Sequence, residues 1–274
     1  MPLTRKKLRI LVWSLVVLVL VWLAGEWGPR LLLRTPGMDL YQSSHFVVWA
    51  EAADRRAAIE LRTALEDRGG QALALLGQGD FPAGVTEFFL YPDRLSFTLH
   101  SRGLWAAWFD HAGTVSAQSR AYHLLVSPEN PGLGHDRQSV LYEAVASWIR
   151  QQLVRMIPQT ALWVREGLVA YLAGASREDE APGELPGPET MESDQLAVFL
   201  AAGGDRTADA FMAWVIWRYG REKPVELAVA GQEWLSAMGL SLPEAHGEWL
   251  SWMRAGRPRD PRLARDRPPG DEEY

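Results

Sequence analysis

The sequence predicts an α+β protein tethered by a single amino-terminal transmembrane helix. A small mixed sheet with its helices comes next, then a mostly helical carboxy-terminal lobe. Three observations predict this. Residues 10–25 are uncharged and almost wholly apolar behind a basic flank. The β-rich runs all fall before residue 127. From residue 138 onward the chain reads as a succession of helices separated by Gly- and Pro-containing breaks.

The anchor is argued from its flanks and length. Arg5, Lys6, Lys7 and Arg9 precede the run 10–25, which as a helix spans about 24 Å against a hydrocarbon core of about 30 Å. Arg9 can snorkel, and Trp22 and Trp27 suit the interface, which covers the difference. Basic residues stay on the cytoplasmic side, so residues 1–9 are expected in the cytoplasm, 10–27 in the membrane, and the rest exported. Leu23-Ala24-Gly25 is a weak processing site for the rival reading, a cleaved signal peptide. The run is longer than most signal cores and Leu23 is large, which favours an uncleaved anchor in the cell membrane.

Residues 28–39, with Pro29 and Pro36, read as a spacer. Residues 45–49 form the first expected strand, and 51–76 a helix with Ala57, Leu61 and Leu65 on one stripe. Glu51 is spaced to pair with Arg55, and Gly69-Gly70 is a potential break or bend. A strand is expected at 85–91, a short helix at 94–101, an aromatic-rich loop at 104–112 and a third strand at 122–126. Helices follow at 138–156 and 161–175. The segment 176–193 reads as a mobile surface loop. Further helices are expected at 195–202, 207–219, 224–237 and 243–253. The tail 256–274 lacks apolar periodicity and reads as disordered.

Composition excludes several functions. A chain of 274 residues with 47% hydrophobic content can bury a sizeable core. A net charge of -6 gives no reason to expect nucleic acid, which asks for a basic face. The absence of cysteine rules out disulfides, thiol catalysis and Cys-bound metal. Neither phosphate-loop fingerprint is present, nor is a Gly-x-Ser-x-Gly elbow.

Two segments carry the chemistry of interest. Residues 140–149 read Val-Leu-Tyr-Glu-Ala-Val-Ala-Ser-Trp-Ile, and residues 162–171 read Leu-Trp-Val-Arg-Glu-Gly-Leu-Val-Ala-Tyr. In a His-Glu-x-x-His helix, two His one turn apart hold Zn²⁺ and the Glu activates its water. Tyr142 and Ala146 stand at the two His positions, beside a retained Glu143. The second segment resembles the Trp-Leu-x-Glu-Gly-x-Ala-x-Tyr helix that supplies the third ligand in gluzincin peptidases, with Glu166 at that ligand.

With these segments, residues 40–255 resemble the peptidase MA-like family of membrane-tethered gluzincins. Ser44-His45-Phe46-Val47-Val48 is similar to its opening strand and Phe89-Leu90-Tyr91-Pro92-Asp93 to the strand before the small helix. Residues 210–223, containing Tyr219-Gly220, are similar to a later helix, and residues 239–244 with 249–252 to the closing one. The resemblance implies a β-containing lobe over about 40–135 and a helical lobe over about 136–255. It also implies a degenerate centre. Ala cannot ligate, and a phenol is a poor substitute for imidazole. No metal or other cofactor is therefore expected, and Glu143 is a vestigial general base. The alternative is an active zinc peptidase with a non-standard site drawn from His123, Glu143 and Glu166; His135 is a more remote candidate.

Burying Glu143 and Glu166 as anions calls for compensation. The expected source is a hydrogen bond from Tyr142 to Glu166, or a guanidinium from Arg150 or Arg137 in the place of the metal. The function this implies is a pseudopeptidase that binds a peptide or protein partner in the old substrate cleft. The partner would add along an exposed edge of the 122–126 strand, beside an apolar wall from Trp105, Trp108 and Phe109.

Overall fold

The computed structural model describes residues 13–14, 32–102, 111–112, 116–118, 122–128, 137–174, 191, 195–201 and 203–256. It is a mixed α+β structure with a small sheet and mostly helical content. The chain divides into two compact units, residues 1–63 with 84–140, and residues 64–83 with 141–274. The expected anchor at 10–27 lies outside the described residues apart from Trp13 and Ser14, as do most of the expected 176–193 loop and all the expected tail but Gly256. Among the described residues no helix is long and apolar enough to cross a membrane.

The first unit is built on a sheet of six strands among the described residues: β1 (Met38–Gln42), β2 (Phe46–Glu51), β3 (Thr86–Tyr91), β4 (His111–Ala112), β5 (Ser116–Gln118) and β6 (Tyr122–Val126). Their order is β1-β2-β3-β6-β5-β4. The centre is parallel, β2 beside β3 beside β6, and antiparallel strands flank it on each side. β3 is buried almost throughout, as a parallel strand covered on both faces must be.

Side chains alternate across this sheet. One face carries Phe89, Tyr91, Leu124 and Val126, which cluster with Leu33, Met38 and Phe97. Phe97 comes from α2 (Arg94–Arg102), which packs on β3 and β6. The helix starts at Asp93, whose carboxylate accepts hydrogen bonds from the Ser96 amide at 2.7 Å and the Ser96 hydroxyl at 3.0 Å. The opposite face buries Phe46, Val48, Phe88, Leu90 and Leu125. Each such side chain contributes about 1.5–3 kcal/mol by leaving water.

The helix α1 (Arg55–Leu75) follows β2 through a short 3₁₀ turn, Ala52–Asp54. It runs through Gly69-Gly70 without a break. A side chain at Gly69 would sit 3.0 Å from the Trp148 ring, so the glycine there admits a close aromatic neighbour. Glu51 ends β2 and is not helical; Arg56 pairs with Glu60 on α1 at 2.9 Å.

The second unit is helical. α3 (Arg137–Met156) enters it at residue 141. Then come α4 (Leu162–Ala173), α5 (Leu196–Ala201), α6 (Gly204–Tyr219), α7 (Lys223–Ala230), α8 (Trp234–Met238) and α9 (Leu242–Arg254). α4 is buried on nearly every side and packs against α5, α6 and α7. Its contact with α6 is intimate: a Cβ at Gly167 would lie 2.5 Å from the Ala208 carbonyl oxygen. Around it Phe211 gathers Trp214, Trp234 and Trp249 at centroid distances of 5.4–5.7 Å, and Trp163 meets Phe199 at 5.1 Å. α9 opens with Ser241 and Glu244 in a capping box.

The structure corrects the sequence reading in several places. β1 begins at Met38, inside the expected spacer and before residue 40, and β4 takes up the end of the expected 104–112 loop. β4 and β5 are too short to carry a period-2 signal. The expected helix 224–237 is broken at Gly231–Glu233, because Gly231 has a φ of 61° and approaches the Gln159 carbonyl closely. The strand at 122–126 is no edge: β6 lies between β3 and β5.

Candidate functional site

The motif helices meet in the second unit. On α3, Tyr142 and Glu143 are half-buried and Ala146 is buried. Arg150 lies one turn beyond Ala146. Helical side chains lean toward the helix amino terminus, so a long residue at 150 covers the turn containing residue 146. A methyl at that position leaves the space. On α4 the neighbours Leu162, Trp163, Val164, Gly167 and Leu168 are buried, and Arg165 and Glu166 interrupt the apolar surface. A carboxylate on such a helix needs a charged or hydrogen-bonding partner.

Arg150 is that partner. Its Nε donates to Glu166 Oε1 at 3.2 Å and Oε2 at 3.0 Å, and its Nη2 donates to Oε2 at 2.8 Å. Arg165 Nε adds a hydrogen bond to Oε1 at 3.2 Å. Of the two compensations expected, the guanidinium is found, and it is that of Arg150. Burial disfavours charge on Glu166, but the charge and hydrogen bonds of Arg150, joined by those of Arg165, hold the carboxyl below its ordinary value. Burial likewise works against the Arg150 cation, but Glu166 first, then Glu143 and Tyr142, keep its pKa above the ordinary arginine value. The cluster is thus an ion-pair network in which the Glu166 carboxylate is held by the guanidiniums of Arg150 and Arg165, with Glu143 and Tyr142 acting on Arg150 through their charge.

The remaining candidates lie elsewhere. His123 sits in β6 of the first unit, buried and stacked on Phe88 with ring centroids 4.5 Å apart. Trp105, Trp108, Phe109 and His135 lie outside the described residues. Among the described residues no group of three or more His, Asp or Glu side chains gathers where a metal ion could be held. Nor does the donor set fit zinc. Ala146 has no donor atom, and both Glu166 oxygens accept hydrogen bonds from arginines. Arg165 was missed by sequence reasoning, because adjacent residues on a helix do not normally face one another. Its position beside a buried acid on an apolar helix was the available signal.

No family model, curated protein or solved structure matches the chain.

Proposed function

We propose that this protein is a membrane-anchored pseudopeptidase. In this reading a gluzincin-like scaffold of the peptidase MA-like kind has lost its metal and binds a peptide or protein partner beside α3 and α4. One observation carries the reading. The acid aligned with the third zinc ligand is engaged by Arg150, a permanent cation two turns beyond the first degenerate ligand position, Tyr142. In this reading the positive charge of the metal has a built-in replacement, whose charge Glu143 also feels. Addition of a peptide to β6 forms no part of the proposal, since both sides of that strand are paired. The alternative site of His123, Glu143 and Glu166 gains no support from a buried His123 and an engaged Glu166.

Zinc binding tests the proposal. The expected outcome is that the full chain purifies without stoichiometric zinc and does not cleave unstructured peptides. Tyr142→His with Ala146→His binds zinc weakly, because Arg150 still holds Glu166. Adding Arg150→Ala raises the affinity at least about tenfold, since the third ligand is then released. Stoichiometric zinc and peptide cleavage in the unaltered chain would overturn the pseudopeptidase. No zinc uptake by the triple variant would overturn the gluzincin frame.

A further inference from the structure

We infer that the α2 side of the sheet is a membrane-docking face that lies on the same bilayer as the anchor. The inference rests on the anchor reading and adds a second contact to it. Three of the nine strongly exposed large apolar side chains among the described residues belong to this side: Leu40 at 47%, Leu95 at 69% and Leu99 at 60% exposure. Leu95 and Leu99 are one turn apart on α2. Each is two residues from Phe97, about 200° around the helix, so both face away from the core that Phe97 enters. Leu40 shares the face because it pairs with Trp49, which pairs with Phe89 of the cluster beneath α2.

The occupant follows from where the chain arrives. Leu33 is packed in that same cluster, and its carbonyl accepts a hydrogen bond of 2.7 Å from the Tyr91 hydroxyl. Leu33 is eight residues past Gly25, the end of the apolar run, so the tether is at most about 29 Å long even when extended. The leash therefore ends under α2. Two exposed arginines accompany the leucines: Arg94 opens α2, and Arg34 is held over the Trp49 ring at 4.5 Å. Asp39 projects to the opposite sheet face. Apolar side chains with basic residues beside them fit the interface of an anionic bilayer.

The chain has no cysteine, so a single Leu99→Cys in the full chain accepts one environment-sensitive fluorophore. The protein is reconstituted into phosphatidylcholine vesicles containing phosphatidylserine, and nitroxide-bearing lipid is added as quencher. A Val229→Cys label, on the exposed surface of the helical unit, serves as reference. Docking predicts that the chain floats with the vesicles and that the Leu99→Cys label is quenched at least about twofold more than the reference. Adding Leu95→Gln and replacing Arg94 with Gln removes that excess. Flotation with equal quenching of both labels overturns the docking face and leaves the anchor standing. Failure to float overturns both. A blue shift that grows with protein concentration in the absence of vesicles assigns the face to a second copy of the chain and also overturns the inference.

Discussion

At Glu166 a carboxylate stands on a helix whose other surfaces are nearly all apolar, and its charge is tolerated because Arg150 meets it with two nitrogens. Removing the partner is therefore worse than removing the pair. Arg150→Met should cost about 2–4 kcal/mol in urea unfolding, because it strands a buried anion with Arg165 alone. The double variant with Glu166→Gln should recover much of that loss, and Arg150→Lys should rescue it only in part, since an ammonium cannot make the two-nitrogen contact. The pH dependence has a definite sign. A carboxyl held below its ordinary value adds stability at every pH above its unfolded value, about 4.3, and loses it as pH falls through the folded value. Glu166→Gln should flatten the acid limb of the stability profile. The raised Arg150 pKa acts on the opposite, alkaline limb, with its contribution complete below the ordinary arginine value and lost as pH rises through the folded one. It leaves the acid limb to Glu166.

Among the elements, α1 and α4 hold glycines with unequal room for a side chain, and the difference can be measured. At Gly70 a Cβ would make ordinary contacts of 3.8–3.9 Å with Phe81. Gly70→Ala should stabilise the protein by about 0.5–1 kcal/mol through helix propensity. At Gly69 the same change meets Trp148 at 3.0 Å and Phe81 at 3.1 Å, and the gain should vanish. At Gly167 the obstacle is backbone, so Gly167→Ala forces α4 from α6 and should cost about 1–3 kcal/mol or more by thermal melting. The long helices over 51–76, 138–156 and 161–175 were legible in sequence because their signals are local: the stripe of Ala57, Leu61 and Leu65 in the first, and the motif segments in the other two. β1, β4 and β5 were not. Each owes its existence to a partner strand, and β4 with β5 turns what sequence read as an exposed edge into the interior of the sheet.

For the whole molecule the proposed anchor has a direct consequence. The full chain should resist alkaline carbonate extraction and require detergent, and a chain lacking residues 1–27 should be released by carbonate. The lack of cysteine means that reductant should leave its thermal midpoint unchanged. The candidate site was partly legible at this scale. Tyr142, Ala146, Glu143 and Glu166 were named from the resemblance of their two segments to gluzincin motif helices, and Arg150 as one of two arginines near enough in sequence. Arg165 escaped notice, and His123 attracted suspicion that its burial against Phe88 does not support.

The letters alone determined that the two positions the proposed gluzincin frame assigns to zinc-binding imidazoles carry a phenol and a methyl, because ligation requires donor atoms and their absence is visible without coordinates. They also determined the long helices and the apolar amino-terminal run, whose signals are local and repeat many times. Only the tertiary structure decided which guanidinium meets Glu166, that β6 is enclosed, and which surface of the sheet keeps its leucines in water. Those outcomes depend on residues far apart in the chain, whose pairing is set by packing and hydrogen-bond geometry and leaves no periodic trace in the sequence.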